Sequence, residues 1–293
     1  PISAVSAFRE MGDVDPTLNA RVSAEIIDTY RSGKEFAKAQ QESEAAAKKY
    51  PEDRRLRMVR DSLLAEMGKV DDAASDMKKL LEGKGDIETW VSLAQIYEKG
   101  KRWNDMAKAL DSAEKLADSN EEKENIWFMR GAMYERMNRV DLAETEFRKV
   151  LRVDPESAGA MNYIGYMLAD RNTRLQESYD MISMALERDP GNGAYLDSLG
   201  WSLYRLGRLE EAEKTLKRAV LKTPKDPTVH HHLAETLMKL GKTREAVAEW
   251  TTSLHEWDTS SPAEQRPEEI AEVKTKLEGA KVRLAREVAP AKN

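Results

Sequence analysis

The chain has 293 residues, no cysteine and a formal net charge of −6 at pH 7. The absence of cysteine excludes disulfides, zinc–thiolate sites and thiol nucleophiles. The acidic balance argues against a nucleic-acid or anionic-membrane partner, because such partners are bound through a basic surface. No apolar run approaches the roughly 18–20 residues that span a bilayer. Abundant Ala, Leu, Glu, Lys, Arg and Met predict helices along nearly the whole chain.

The first residues predict one half of a helical hairpin. Ala4, Phe8 and Pro16 have the spacing of the second helix in the hairpins that follow. We therefore predict that residues 1–18 are the second helix of a truncated repeat, in a longer array or in a chain that is cleaved at this point. A frayed tail outside the repeats is the alternative.

From residue 19 onwards the sequence repeats with a period of about 34 residues. The pattern is clearest around Gly200, Ala212 and Ala219, whose small side chains let two antiparallel helices approach closely. Gly207 ends the first helix, because a positive φ costs little only for glycine, and Pro224 ends the second. Related patterns recur throughout residues 19–258, and we count seven units. A set of unrelated amphipathic helices is the alternative.

This pattern resembles the tetratricopeptide repeat, a helix–turn–helix unit. The resemblance implies an all-α fold, a right-handed superhelical solenoid of helix-turn-helix repeats whose first helices line a concave groove. After Asp258 the period is lost, and an apolar stripe that includes Val273 and Leu277 predicts a single long helix. We predict that residues 259–293 form a linker, a capping helix over the last repeat and a disordered tail. A helix that docks a partner is the alternative to the cap.

The resemblance also implies that ligands contact positions 5, 9, 12 and 13 of the first helices. Positions 5, 9 and 13 lie one turn apart, so they form a file along each helix. In the C-terminal half this file carries polar and aromatic residues beyond those that the core needs, and aromatic side chains are typical of binding hot spots. The predicted contact residues are Asn162, Tyr166, Asp170, Asp197, Trp201, Tyr204, Arg205, His231 and Glu235. Packing of Tyr166 and Trp201 between adjacent repeats is the alternative.

Two short motifs suggest other chemistry at first sight. Consecutive residues on a helix point about 100° apart, so His230–His232 cannot share one metal ion, and His231 with Glu235 supplies only two ligands. Gly241–Thr243 lacks the upstream glycine and the preceding strand of a phosphate-binding loop. No nucleophile elbow is present. We therefore predict no catalytic residue, no metal and no cofactor.

Residues 162–212 resemble the paired repeats of exported bacterial tetratricopeptide proteins, including outer-membrane lipoproteins. One such group tethers cell-wall hydrolases to a carboxyl-terminal processing protease in the periplasm. The resemblance implies a non-enzymatic scaffold or adaptor that binds a peptide segment or a protein in its groove. It favours the periplasm or attachment to the outer membrane over the cytoplasm. A self-associating homo-oligomer and a regulatory subunit of an enzyme complex are the alternatives.

Overall fold

The computed structural model describes residues 2–83, 85–260 and 265–288 of the chain. This part of the chain contains sixteen α-helices and no strand, which confirms the all-α fold class. A short 3-10 turn, Pro16–Leu18, follows the first helix. The helices are α1 (Ile2–Val14), α2 (Asn19–Ser32), α3 (Phe36–Lys49), α4 (Arg54–Glu66), α5 (Val70–Leu80), α6 (Ile87–Lys99), α7 (Trp103–Glu114), α8 (Asn120–Arg136), α9 (Val140–Val153), α10 (Ala158–Asp170), α11 (Leu175–Arg188), α12 (Gly193–Arg205), α13 (Leu209–Lys222), α14 (Pro227–Lys239), α15 (Thr243–Thr259) and α16 (Pro267–Val288).

The chain forms two compact units that divide within α8. The first unit holds the hairpins α2–α3, α4–α5 and α6–α7, and the second holds α10–α11, α12–α13 and α14–α15. The two helices of each hairpin pack along each other because only a few residues connect them. All of the predicted contact residues lie in the second unit, on the first helices of its three hairpins.

Glycine shapes the hairpin α12–α13 at two places. A β-carbon at Gly200 would lie 2.4 Å from Cγ of Leu216, so the two helices touch where the first has no side chain. Gly207, in the turn after α12, has a φ of 78°. The turn after α2 in the first unit differs, because Gly33 has a φ of −78° and the following Lys34 takes the left-handed conformation instead.

We expect Gly200→Ala to lower the free energy of unfolding by about 1–3 kcal/mol, because the new methyl group overpacks the contact with Leu216. This loss outweighs the 0.5–1 kcal/mol that alanine typically gains over glycine inside a helix. Gly279→Ala is the matched control, because a β-carbon on this residue of α16 meets no atom within 4 Å. Urea unfolding of both variants checks the prediction. An equal change in the free energy of unfolding of both variants would show that the close contact between Gly200 and Leu216 does not destabilise Gly200→Ala.

The two ends of the described chain are packed against their neighbours. Val5 of α1 lies in a core cluster with Val22 and Ile26 of α2. Val273 and Leu277 of α16 are buried in the core of the last hairpin. The division into a truncated repeat, seven repeats and a C-terminal segment stays a prediction. The predicted disordered tail lies outside the described residues, apart from the end of α16. No helix of the described part meets the length and apolarity that crossing a membrane requires.

Candidate functional site

An aspartate–histidine pair lies at the centre of the predicted contact residues, between α12 and α14. Nδ1 of His232 lies 2.9 Å and 3.0 Å from the two carboxylate oxygens of Asp197, and Asp197 is only 7% exposed. Burial alone would lower the pKa of His232, but the Asp197 carboxylate outweighs this effect and the pKa is raised. The pair therefore links the first helices of two consecutive hairpins inside the protein.

Aromatic rings pack around this pair. The Trp201 indole stacks on the His232 imidazole at a centroid distance of 4.3 Å and on the Tyr204 ring at 4.8 Å. The Tyr166 ring lies 6.2 Å from that of His232. Trp201 is only 7% exposed, so most of its surface is used in packing between α12 and α14. Its contact with a partner stays a prediction.

Two polar atoms on this face are buried without a hydrogen-bond partner among the described residues. They are Oδ1 of Asn162 on α10, which can only accept a hydrogen bond, and Nε1 of Trp201 on α12, which can only donate one. A buried polar atom without a partner costs about 1–3 kcal/mol relative to one that is satisfied. The face therefore holds one acceptor and one donor that the described protein does not use.

Tyr166 on α10 is held in its neutral form. Burial raises the pKa of its hydroxyl well above the ordinary value, and the nearby carboxylates of Asp170 and Asp197 act in the same direction. Asp170, at the end of the same helix, is exposed. The hydroxyl is therefore protonated at physiological pH and able to donate a hydrogen bond.

Arg205 connects α12 to the end of α10. Its Nε donates to the carbonyl oxygen of Ala169 at 3.0 Å, and a second guanidinium nitrogen donates to that of Asp170 at 2.7 Å. The last carbonyls of a helix have no partner within the helix, and a cation is favourable at this end of its dipole. The Arg205 side chain, predicted to contact a ligand, therefore caps the preceding hairpin.

The three consecutive histidines of α14 have different partners. His230 Nδ1 lies 2.6 Å from Oε2 of Glu249, and His231 Nδ1 accepts a hydrogen bond of 3.0 Å from Nε1 of Trp250, while His232 contacts Asp197. Burial, with smaller effects of His232 and Lys276, lowers the pKa of His231 to about 3. His231 is therefore neutral at physiological pH, and it packs towards α15.

The C-terminal helix reaches the edge of the site. Lys276 Nζ on α16 lies 2.6 Å from Oε1 of Glu235, and the Tyr204 hydroxyl donates to Oε2 of the same carboxylate at 3.4 Å. Of the predicted residues, the structure thus brings Tyr166, Asp197, Trp201, Tyr204 and Glu235 together around His232. Asn162, Asp170, Arg205 and His231 lie on the same three helices with the separate contacts described above.

Sequence reasoning missed His232 and the contribution of α16. His232 occupies the position after His231, so a reading of positions 5, 9, 12 and 13 passes over it. The signal that could have found it is the spacing of 35 residues from Asp197. That spacing is one repeat plus one residue, which sets an acid and a base on facing helices of consecutive hairpins.

Comparisons with known proteins identify the repeat. Two family models described as tetratricopeptide repeats match residues 128–193 and 193–236. A protein of Pseudomonas aeruginosa described as containing such repeats is 33% identical over 174 residues, which are 59% of this chain and 29% of that protein. The lipoprotein NlpI homologue of Haemophilus influenzae is 28% identical over 113 residues, which are 37% of this chain and 34% of that protein. The chain therefore matches only about a third of each curated relative.

A solved structure shows the same fold. The crystal structure of a tetratricopeptide repeat protein from Parabacteroides merdae superimposes with a TM-score of 0.63. The match covers 89% of this chain and 98% of that protein, at 15% sequence identity. At this identity the likeness concerns the fold alone.

Proposed function

Residues 128–236 are tetratricopeptide repeats, and on this premise we propose that the chain is a scaffold that binds a peptide segment or a protein partner. Such repeats generally mediate protein–protein interaction. The proposed contact face is formed by α10, α12 and α14 of the second unit. The observation that carries the proposal is that Asp170, Tyr204 and Glu235, on three consecutive first helices, keep accessible surface beside the Asp197–His232 pair.

The nine predicted residues would have two roles, contact with the partner and support of the face. Asp170 is exposed and Tyr204, Glu235 and Asn162 are partly exposed, so these residues would meet the partner first. The others would hold the face in shape through the contacts described above. The proposal assigns no catalytic step to the chain.

The finer proposal concerns the place of action. The relative from Haemophilus influenzae is named a lipoprotein, which supports a location in the bacterial envelope, in the periplasm or attached to the outer membrane. There the chain would act as an adaptor for a protease or another cell-envelope complex. This adaptor role is supported by the resemblance of residues 162–212 to exported bacterial tetratricopeptide proteins.

We expect the double variant Asp170→Lys/Tyr204→Ala to retain at least tenfold less of the bound partner in affinity capture from the native organism. Asp170 is exposed and Tyr204 is partly exposed, so their loss removes contacts at the surface of the face, and a binding hot spot is worth more than about 1 kcal/mol. Quantitative mass spectrometry of the captured proteins is the measurement.

The control is Glu187→Lys, which reverses one charge at an exposed position of α11, the second helix of the hairpin that carries Asp170. It is expected to retain the partner at the level of the unmodified chain. Circular dichroism shows whether all variants are folded. A folded double variant that captures the same proteins in the same amounts would refute the proposed face.

A further inference from the structure

The helix α16 lies against the face that the previous section assigns to a partner. Its Lys276 forms an ion pair with Glu235 of α14 at 2.6 Å. Lys276 also lies 2.8 Å from Glu272 within α16, so the ammonium group stands between two carboxylates. Glu235 is thereby occupied by a basic side chain from the chain's own C-terminal segment.

A second basic group meets the same face at the beginning of α16. Arg266 directly precedes the helix and interacts electrostatically with Glu135 of α8 and with Tyr166 of α10. Its guanidinium also forms an ion pair of 2.8 Å with Glu269. Two cations ten residues apart in the sequence thus meet acidic or phenolic groups on three helices of the second unit.

The apolar side of α16 completes the contact. Val273, Leu277 and Ala280 are buried and share a core cluster with Leu233 and Leu237 of α14 and with residues of α15. An amphipathic helix whose apolar side chains recur every three or four residues is a common ligand of a helical groove. The first half of α16 therefore meets the face as a helical ligand with two basic side chains would.

We propose that the face binds a basic amphipathic helix of a partner protein, and that the first half of α16 occupies the place of this helix in the free protein. The inference rests on the proposed function, since it names the class of partner for the same face. Lys276 and Arg266 mark where the cations of the partner would bind.

The beginning of α16 is the part that a partner helix would displace first. Arg266 is exposed and Glu269 and Ile270 are only partly buried, whereas Val273 and Leu277, in the same half of the helix, are buried in the core of the last hairpin. With α16 in place, Nε1 of Trp201 still has no hydrogen-bond partner among the described residues. A tethered segment acts at an effective concentration of about millimolar. A partner must therefore bind more favourably than α16, and an additional hydrogen bond to the face would contribute.

The test uses a fluorescein-labelled synthetic peptide with the sequence of residues 265–284 as the probe. Its affinity is measured by fluorescence anisotropy for the full chain and for the variant Arg266→Glu/Lys276→Glu. We expect the peptide to bind this variant at least tenfold more tightly, because the competing segment no longer pairs with Glu235. The matched control is Lys274→Glu/Lys281→Glu, with the same charge change on exposed positions of the same helix, and it should bind the peptide as the unmodified chain does.

Two further measurements decide the outcome. Hydrogen exchange at residues 267–276 should be faster in Arg266→Glu/Lys276→Glu than in the control variant. A peptide that carries glutamate at positions 266 and 276 should bind the released face at least tenfold more weakly. Equal peptide affinity for the unmodified chain and the double variant, unchanged exchange, or equal binding of the two peptides would each overturn the inference.

Failure of this inference can be told apart from failure of the proposed function. If capture of a partner still depends on Asp170 and Tyr204 while the peptide experiment fails, the face binds a partner of another chemistry. If capture also becomes independent of these residues, the face is not a binding site and both proposals fall.

Discussion

Replacing His232 with phenylalanine is expected to lower the free energy of unfolding of the second unit by about 3–5 kcal/mol, because one partner of a buried charged pair is lost. Phenylalanine preserves a ring against Trp201 but leaves the Asp197 carboxylate, which is 7% exposed, without the hydrogen-bond partner that it has among the described residues. Chemical unfolding followed by far-ultraviolet circular dichroism measures the change.

The double variant Asp197→Leu/His232→Phe is the control. Replacing both members of a buried charged pair by apolar residues is often neutral or stabilising, so most of the lost stability should return. If the single and double variants are equally unstable, the loss comes from packing and the unpaired carboxylate is not its cause.

The same pair should make stability depend on pH. The pKa of His232 is raised in the folded protein by Asp197, with Asp170 and Asp226 acting in the same direction, although burial opposes them. The proton on His232 therefore stabilises the fold fully below about pH 6.5, the ordinary value of histidine, and this contribution is lost as the pH rises through the raised value. The difference in the free energy of unfolding between the unmodified chain and His232→Phe should therefore decrease as the pH rises through the raised pKa of His232.

Asp61→Ala is expected to stabilise the first unit by about 2–4 kcal/mol at pH 8 and by much less at pH 4. Asp61 on α4 is 1% exposed, and its Oδ2 has no hydrogen-bond partner among the described residues. Burial, with a smaller effect of Asp76, raises its pKa to about 7, although Arg60 and Arg57 oppose this. In the three hairpins of the second unit the position that corresponds to Asp61 holds Gly165, Gly200 and Ala234, so a small side chain fits the pattern better than a carboxylate.

The sign of this pH dependence follows from the raised pKa. Below about pH 4 the Asp61 carboxyl is protonated in both the folded and the unfolded chain, so its burial lowers the free energy of unfolding only slightly. Between about pH 4 and 7 the unfolded chain loses the proton first, and the unmodified protein loses stability until the pH exceeds 7. Asp72→Ala, at an exposed position of α5, is the control and should show no such gain. A gain of equal size at pH 4 and pH 8 would contradict the titration of Asp61.

The period of the sequence predicted the helices because it reflects contacts within one hairpin. Gly200 meets Leu216 only sixteen residues later, and this short-range constraint is visible in the spacing of small residues. The turn residues were less predictable, since Gly33 does not adopt a positive φ and the following residue, Lys34, does. At that position the backbone needs a left-handed residue, and its placement depends on how far the preceding helix continues.

The candidate site could be predicted in part. The files of positions 5, 9 and 13 placed Tyr166, Asp197 and Trp201 on one face, because helical geometry alone decides which residues share a side. The burial of Trp201 under His232 depends on how closely two hairpins approach, and the repeat pattern does not contain that distance. The ion pair of Lys276 with Glu235 depends in the same way on the direction in which α16 leaves the last hairpin.

Arg205 has a consequence for how selective the face can be. Because its guanidinium donates to the carbonyls of Ala169 and Asp170, α12 cannot tilt away from α10 without breaking two hydrogen bonds. These hydrogen bonds hold the spacing between the two hairpins in the free protein. If the proposed face binds a helix, a fixed spacing would select against helices whose charges are separated by another distance, whereas a flexible array of hairpins could adjust to them.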